Sequence, residues 1–412
     1  MTEDNLRKNE AAYQEDEIES IPVGPLGLVP LKGMLPLTHK IDEYLVNWRR
    51  ERESRHKDSI LFAGYQKDSF IIESDCPRFG SGESKGVIKT SVRGDDLYFL
   101  LDVTNYSILY PVGGMQNHYS PDDHFQDLKR VIAAAGGRAK RMTVIMPYLY
   151  EGRQEKREER ESLDCAQMLK ELTEMGVTNI ITFDAHDPRV QNAIPLYGFE
   201  TVSPTYQYIK ALLNCYSDLD IDSGHMMIVS PDENGMSRAI YFANVLGLDM
   251  GMFYQRRDYS RVINDHHPVV ANEFLGSSVE GKDVIIVDDM ISSGDTMVNV
   301  ARELKKMKAR RVFCCASFGL FTGGIGEFDK AYEQGYIDKV FTTNLIYQLP
   351  ELLDREWYVS VDMSKYIALM IDYLNHDYSI SSLLNPVNRI NRRVAAYKER
   401  RAKERAEAGT EV

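Results

Sequence analysis

A chain of 412 residues, 43% apolar and 27% charged, is long enough for two domains with substantial cores and has the make-up of a globular protein. Lys plus Arg number 49 against 62 Asp plus Glu, and this net charge of −13 argues against a general nucleic-acid or anionic-membrane binder, so any phosphate affinity must be local. Cys76, Cys165, Cys215, Cys314 and Cys315 show no Cys-x-x-Cys or metal-ligand spacing, no run is long enough to span a membrane, and Met1-Thr2-Glu3-Asp4 is acidic where a signal peptide is basic; a cytoplasmic protein with free thiols is expected.

In chain order, residues 1 to about 20 are polar without an apolar period, which predicts disorder. Pro22 to Gly27 reads as a loop, and Lys40 to Lys57 as a charged helix with Ile41, Tyr44, Leu45 and Trp48 on one face, so residues 1–58 are expected to form an N-terminal extension. Apolar strands then alternate with helical patterns: Leu97 to Val103, Arg141 to Met146, Asn179 to Phe183, Met226 to Val229, Val284 to Val287, Arg311 to Ala316 and Lys339 to Thr342. Such alternation predicts an α/β fold of parallel sheets flanked by helices, divided near Tyr206 into domains over 59–205 and 206–387. Beyond, residues 388–412 are rich in Arg, Lys, Glu and Ala and read as a solvated helix or tail.

Polar turns follow several of these strands. Val284-Ile285-Ile286-Val287 runs into Asp288-Asp289 and then Ser292-Ser293-Gly294-Asp295-Thr296, which opens a helical pattern. Helix-start N–H groups and the hydroxyls of Ser292, Ser293 and Thr296 suit a phosphate, while Asp288 and Asp289 suit ribose hydroxyls and a hard divalent cation. Val229-Ser230 leads into a second anion-sized turn, Asp232-Glu233-Asn234-Gly235, with Arg238 in the helix behind it. His186 stands just past the strand ending at Phe183, and Arg153 beside Gln154 can clamp phosphate oxygens in a way Lys cannot reproduce.

The Val284 to Thr296 segment resembles the phosphoribosyl-pyrophosphate (PRPP) signature of type I phosphoribosyltransferases and ribose-phosphate pyrophosphokinases, the PRPP synthetases. From about Ile71 to Ile390 the remaining segments resemble a PRPP synthetase in order. The resemblance implies two type I phosphoribosyltransferase-like domains, the first binding ATP and the second ribose 5-phosphate, and transfer of the β,γ-pyrophosphoryl group between them to make PRPP and AMP for nucleotide biosynthesis. It implies an adenine loop Phe79-Gly80-Ser81-Gly82-Glu83 lent to a neighbouring subunit of a dimer or hexamer, with Phe79, Ser81 and Glu83 joining Arg153, Gln154 and His186 around ATP. It further implies Mg²⁺ at His186 and Asp232, a pyrophosphate loop Asp232 to Gly235, a sugar-phosphate site Asp288 to Thr296, catalysis at Gln255 and Arg257, and an allosteric role for Ser91 and Arg93. Gln255 stands where the family carries Lys, Glu233 and Asn234 replace small residues, Ser81 replaces Asn, and Glu158-Glu159-Arg160-Glu161 is more acidic than the family's loop. Two readings therefore stay open, a working synthetase and a catalytically impaired, nucleotide-binding regulatory paralogue. A phosphoribosyltransferase that uses PRPP as substrate leaves the ATP segments unexplained.

Overall fold

A computed structural model describes residues 20–55, 65–157, 159–257 and 269–408. The first half contains strands β1 (Leu26–Pro30), β2 (Ser74–Asp75), β3 (Val87–Ile88), β4 (Asp96–Leu100), β5 (Leu109–Val112), β6 (Met115–His118), β7 (Arg141–Ile145), β8 (Asn179–Phe183) and β9 (Gly198–Val202). With them come helices α1 (Leu35–Arg55), α2 (Pro121–Ala135) and α3 (Asp164–Glu174). Five strands form one parallel sheet in the order β1-β4-β7-β8-β9, and the rest pair as two short antiparallel ribbons. Every residue of β4 is buried, as expected of a strand covered on both faces. A capping box starts α2: Ser120 Oγ accepts from the Asp123 N–H, and the Asp123 carboxylate accepts from the Ser120 N–H.

The second half contains β10 (Met226–Ser230), β11 (Asp249–Arg257), β12 (Val269–Leu275), β13 (Asp283–Ile291), β14 (Arg311–Gly319), β15 (Lys339–Thr343) and β16 (Tyr358–Val361). Its helices are α4 (Thr205–Cys215), α5 (Met236–Leu246), α6 (Asp295–Lys306), α7 (Gly326–Glu333), α8 (Pro350–Leu353), α9 (Ser364–Asn375), α10 (Ser381–Leu384) and α11 (Val387–Ala408). The seven-stranded sheet runs β12-β11-β10-β13-β14-β15-β16 and is parallel except for the edge strand β12. This is the α/β architecture the alternation predicts. Among the described residues no helix is long and apolar enough to cross a membrane.

Three expectations are corrected. Residues 26–55 are not an extension: β1 pairs with β4 from Leu26↔Asp96 to Pro30↔Leu100, and α1 starts at Leu35 with Ile41, Leu45 and Trp48 buried. The expected disorder of residues 1–19 lies outside the described residues, as do residues 56–58. The second expected domain does not keep all of 206–387, because α9 returns to pack on α1. Arg52 donates to both carboxylate oxygens of Asp372, Arg49 to Asn375 Oδ1 (2.5 Å), and Arg141 to the Leu374 carbonyl (2.6 Å). Nor is residue 388 the start of a solvated tail.

Helix α11 lies against α4 and α5 with Ile390 and Tyr397 buried. The Tyr397 hydroxyl accepts from the Leu219 N–H (2.9 Å) and donates to the Tyr216 carbonyl (2.9 Å), while Arg401 and Arg405 reach Asp220. Tyr397→Phe keeps the ring but strands both backbone groups. It should cost about 1–3 kcal/mol of stability in urea denaturation, and an unchanged midpoint would show that α11 is not held through this hydroxyl.

Candidate functional site

The ends of β8, β10, β13 and β14 supply one polar cluster in which the carboxyl ends of both sheets meet. From the first sheet, Asp184 and His186 follow β8; from the second come Asp289 near the end of β13, Ser317 in β14 and Arg238 in the first turn of α5. His186 Nδ1 lies 2.7 Å from Asp289 Oδ2. Arg238 donates from Nε to Asp184 Oδ1 (2.7 Å) and from Nη2 to the Ala185 carbonyl (3.0 Å) and Asp289 Oδ2 (3.3 Å). Ser317 Oγ donates to Asp184 Oδ2 (2.8 Å). Two motifs far apart in sequence are therefore joined through side chains with little exposure.

Charge is unevenly balanced here. Burial works against a charged Asp289, yet the His186 hydrogen bond and Arg238 hold its carboxyl below the ordinary value, and that same bond raises the His186 imidazole. Asp288 moves the other way: burial, then the charges of Asp289 and Asp232, push its proton affinity well above the ordinary carboxyl range. Behind burial, that upward push reflects a crowding of negative charge that a cation would relieve. Among the described residues no group of three or more His, Cys, Asp or Glu side chains is arranged to hold a metal ion by itself. The donors present suit instead a Mg²⁺ that takes one or two protein ligands and completes its shell with water and substrate phosphates. With Nδ1 on Asp289, His186 keeps Nε2 for such a role.

Strand β13 continues through Ile291, so the Ser292 to Gly294 turn leads directly into α6. No side chain caps α6, which leaves its first amides for an anion. Thr322 N–H and Leu320 N–H bond the carbonyls of Ser292 and Ile291 and fix the turn from behind, while Ser293 Oγ donates to Asp295 Oδ2 (2.8 Å). Gly294 has φ of 97°, and a Cβ there would meet Phe328 Cε2 at 2.3 Å. Gly294→Ala should accordingly lose about 2–4 kcal/mol from left-handed strain plus overpacking, read as a lower urea midpoint; no loss would mean that the turn readily relaxes.

In the loop after β10, Asp232 Oδ1 accepts from the N–H groups of Asn234 (2.8 Å) and Gly235 (3.1 Å), so two of the loop's donors are turned onto its own carboxylate. Glu233 and Asn234 are exposed, and Gly235 is packed where a Cβ would lie 2.8 Å from Ser230 Oγ.

Residues 205–346 match the phosphoribosyl transferase domain, and residues 30–176 match the N-terminal domain of ribose phosphate pyrophosphokinase. The ribose-phosphate pyrophosphokinase of Helicobacter pylori is 30% identical over 315 residues, covering 74% of this chain and 86% of its own. That of Vibrio parahaemolyticus is 28% identical over 319 residues, 76% of this chain and 91% of its own. The crystal structure of phosphoribosylpyrophosphate synthetase from Mycobacterium smegmatis shares the fold at a TM-score of 0.67 and 19% identity, over 86% of this chain and 99% of that one. The chain belongs to the ribose-phosphate pyrophosphokinase family.

Other positions expected from this family are distributed more widely. Arg153 is exposed; burial raises the Tyr148 hydroxyl, with the Arg153 charge opposing that push and Asp289 adding to it, and the Tyr148 ring packs edge-on against Phe318 (5.1 Å). Gln154 is turned back on its own loop and donates to the carbonyls of Lys156 (3.1 Å) and Ser162 (2.9 Å). Glu158 lies outside the described residues.

Phe79 to Glu83 forms a tight turn closed by Phe79 N–H to the Glu83 carbonyl (2.7 Å), with Ser81 Oγ donating to Glu83 Oε2 (2.9 Å) and Phe79 half exposed. Beside it, the Arg78 guanidinium lies against the rings of both Tyr110 and Tyr119, which meet edge to face, and is paired with Asp123. Ser91 and Arg93 are exposed just before β4, at the amino end of the first sheet and so at the opposite end of the strands from His186.

Gln255 and Arg257 lie on β11, with Gln255 opposite Asn272 and a register shift between Arg256 and Arg257; the side chains of these three residues lie outside the described set. Sequence reading noted Arg238 as a basic position but gave no role to Asp184 or Ser317. Asp184 was read only as part of the Asp184-Ala185-His186 segment, and Ser317 to Phe321 only as a fold element.

Proposed function

We propose that the protein is a ribose-phosphate pyrophosphokinase that moves the β,γ-pyrophosphoryl group of Mg-ATP to the 1-hydroxyl of ribose 5-phosphate, giving PRPP and AMP. The observation that carries this reading is the His186–Asp289 hydrogen bond, which puts the nucleotide-side histidine and the PRPP-motif carboxylate in one site. Asp288 and Asp289 orient the sugar hydroxyls, the Ser292 to Thr296 turn receives the 5-phosphate, and Arg153 and Arg257 steady the polyphosphate. His186 and Asp232 would hold a Mg²⁺ bound with ATP, which would supply positive charge to the migrating group. Gln255 orients that group through its amide without adding charge.

Phe79, Ser81 and Glu83 serve the adenine of a second copy, so the enzyme works as a homo-oligomer in the cytoplasm. The nucleotide side comprises residues 26–205 with α9 and α10, and the sugar side residues 206–361 with α11. Ser91 and Arg93 form a regulatory anion site at the far end of the first sheet.

A second reading, a nucleotide-binding regulatory paralogue, is favoured by the carboxylates beside the polyphosphate path: Glu233, Asp295 and Asp232, the last already occupying the loop amides. AMP release from Mg-ATP separates the two. Release that depends on ribose 5-phosphate supports the enzyme; nucleotide binding with no AMP release above background supports the paralogue.

A further inference from the structure

We infer that Asp184 is a positioning residue that sets the register between the nucleotide-side His186 and the sugar-side Asp289; this rests on the proposed function. Asp184 closes β8 and so belongs to the first sheet, yet both of its carboxylate oxygens are held by the second: Oδ1 by Arg238 Nε (2.7 Å) and Oδ2 by Ser317 Oγ (2.8 Å). Ser317 is in turn backed by the Tyr208 hydroxyl (3.2 Å) from α4. With one strong donor on each oxygen, this carboxylate is employed as a strut and not as a ligand contact. The pair is well shielded, with the side chains of Asp184 and Arg238 each 13% exposed.

The backbone points the same way. Asp184 has φ of 43°, a left-handed conformation that L residues other than Gly rarely adopt, and its N–H is tied to the Val202 carbonyl (2.9 Å). This turn reverses the chain so that His186, two residues on, meets Asp289. Arg238 then spans the gap, since the guanidinium that holds Asp184 also reaches the Ala185 carbonyl and Asp289. A single fork therefore bonds the first sheet's turn and the second sheet's sugar motif, and only a planar, multidentate donor can do so. Loss of the strut leaves His186 and Asp289 chemically intact but free to shift against each other. Small displacements of this kind cost turnover more than affinity.

Asp184→Asn tests this, because Asn tolerates the left-handed backbone while it removes the charge and turns one of the two accepting oxygens into an amide N–H₂ that cannot accept from Arg238 or Ser317. Calorimetry would measure ribose 5-phosphate alone, a non-hydrolysable Mg-ATP analogue alone, and each in the presence of the other; steady-state AMP release would supply kcat and KM. The expected result is single-ligand affinities and KM values within about threefold of wild type, loss of the mutual effect of the two ligands, and a fall in kcat of about a hundred-fold. Ser317→Ala, which loosens one oxygen only, should shift kcat the same way by a smaller factor and decides the matter should Asp184→Asn not fold.

A weakening of either ligand alone by tenfold or more, or an unchanged kcat and unchanged coupling, overturns the positioning role. In a protein without turnover the coupling measurement alone decides. Wild-type protein that binds neither ligand would overturn the functional reading, and this inference with it.

Discussion

Gln255→Lys should raise kcat for PRPP formation about a hundred-fold while leaving KM for ribose 5-phosphate nearly unchanged. Catalysis of phosphoryl and pyrophosphoryl transfer is mainly electrostatic, and a cation beside the migrating group stabilises the transition state more than the ground state. The family carries Lys where this chain has Gln255, whose backbone sits on β11 opposite Asn272. A neutral amide leaves that charge out. Rapid-quench measurement of AMP is the check. No gain in a protein that binds both substrates would favour the regulatory paralogue, in which Glu233 and Asp295 still repel the polyphosphate. A loss of activity would mean that another cation, such as Arg256 or Lys156, already serves this role.

The second large effect concerns Asp288 and Asp289, adjacent in sequence but opposite in consequence. Asp289→Asn should destabilise the protein by about 3–5 kcal/mol at neutral pH, because it leaves buried Arg238 with one carboxylate fewer and His186 without its partner. Asp288→Asn should raise the unfolding temperature at pH 7, since it removes a carboxyl whose ionised form is disfavoured by burial and then by the charges of Asp289 and Asp232; on the proposed function it should also abolish ribose 5-phosphate binding.

The signs with pH follow from linkage. The folded-state value of Asp288 is raised, so wild-type stability falls as pH climbs from the ordinary carboxyl value of 3.8 through the raised one, and the advantage of Asp288→Asn vanishes below that window. Asp289 is lowered, and its contribution is present above 3.8 and lost as pH falls through its folded value. His186 is raised, so its share is full below 6.5 and lost as pH rises through its folded value; Asp289→Asn should erase that loss. Thermal melts across pH, paired with calorimetric titration of the sugar phosphate, would read all of this. Equal melting temperatures for both variants at pH 7 would contradict the asymmetry.

The seven strands read from the sequence all appear, because continuous apolar runs between polar turns have few other uses. Leu26 to Pro30 was missed for a physical reason: the Pro- and Gly-rich run from Pro22 to Gly27 reads as a loop, whereas a Cβ at Gly27 would lie 2.4 Å from Ile72 Cδ1, so this buried strand needs its glycine. Helix α11 was read as solvated since Ile390, Val394 and Tyr397 form a narrow apolar stripe among many charges. At the site, individual turns were legible from residue type and spacing. Their assembly was not, because His186 and Asp289 meet across 103 positions and the strut that joins them hangs on a left-handed aspartate. Local pattern carries no information on such a meeting.

The return of α9 onto α1 also bears on how the chain acquires its shape during synthesis. Arg52 and Asp372 pair across 320 positions, and Ile41 and Leu45 share one core with Ile367 and Met370. The first helix among the described residues therefore waits for one whose Asp372 comes 320 positions after Arg52, and closing so large a loop is a slow, late event. Until then the apolar seam of α1 faces water and invites association with other nascent chains. Folding from the amino end forward cannot finish the first sheet's outer layer, and a fragment that stops before Ser364 would carry an open hydrophobic seam in place of a stable half.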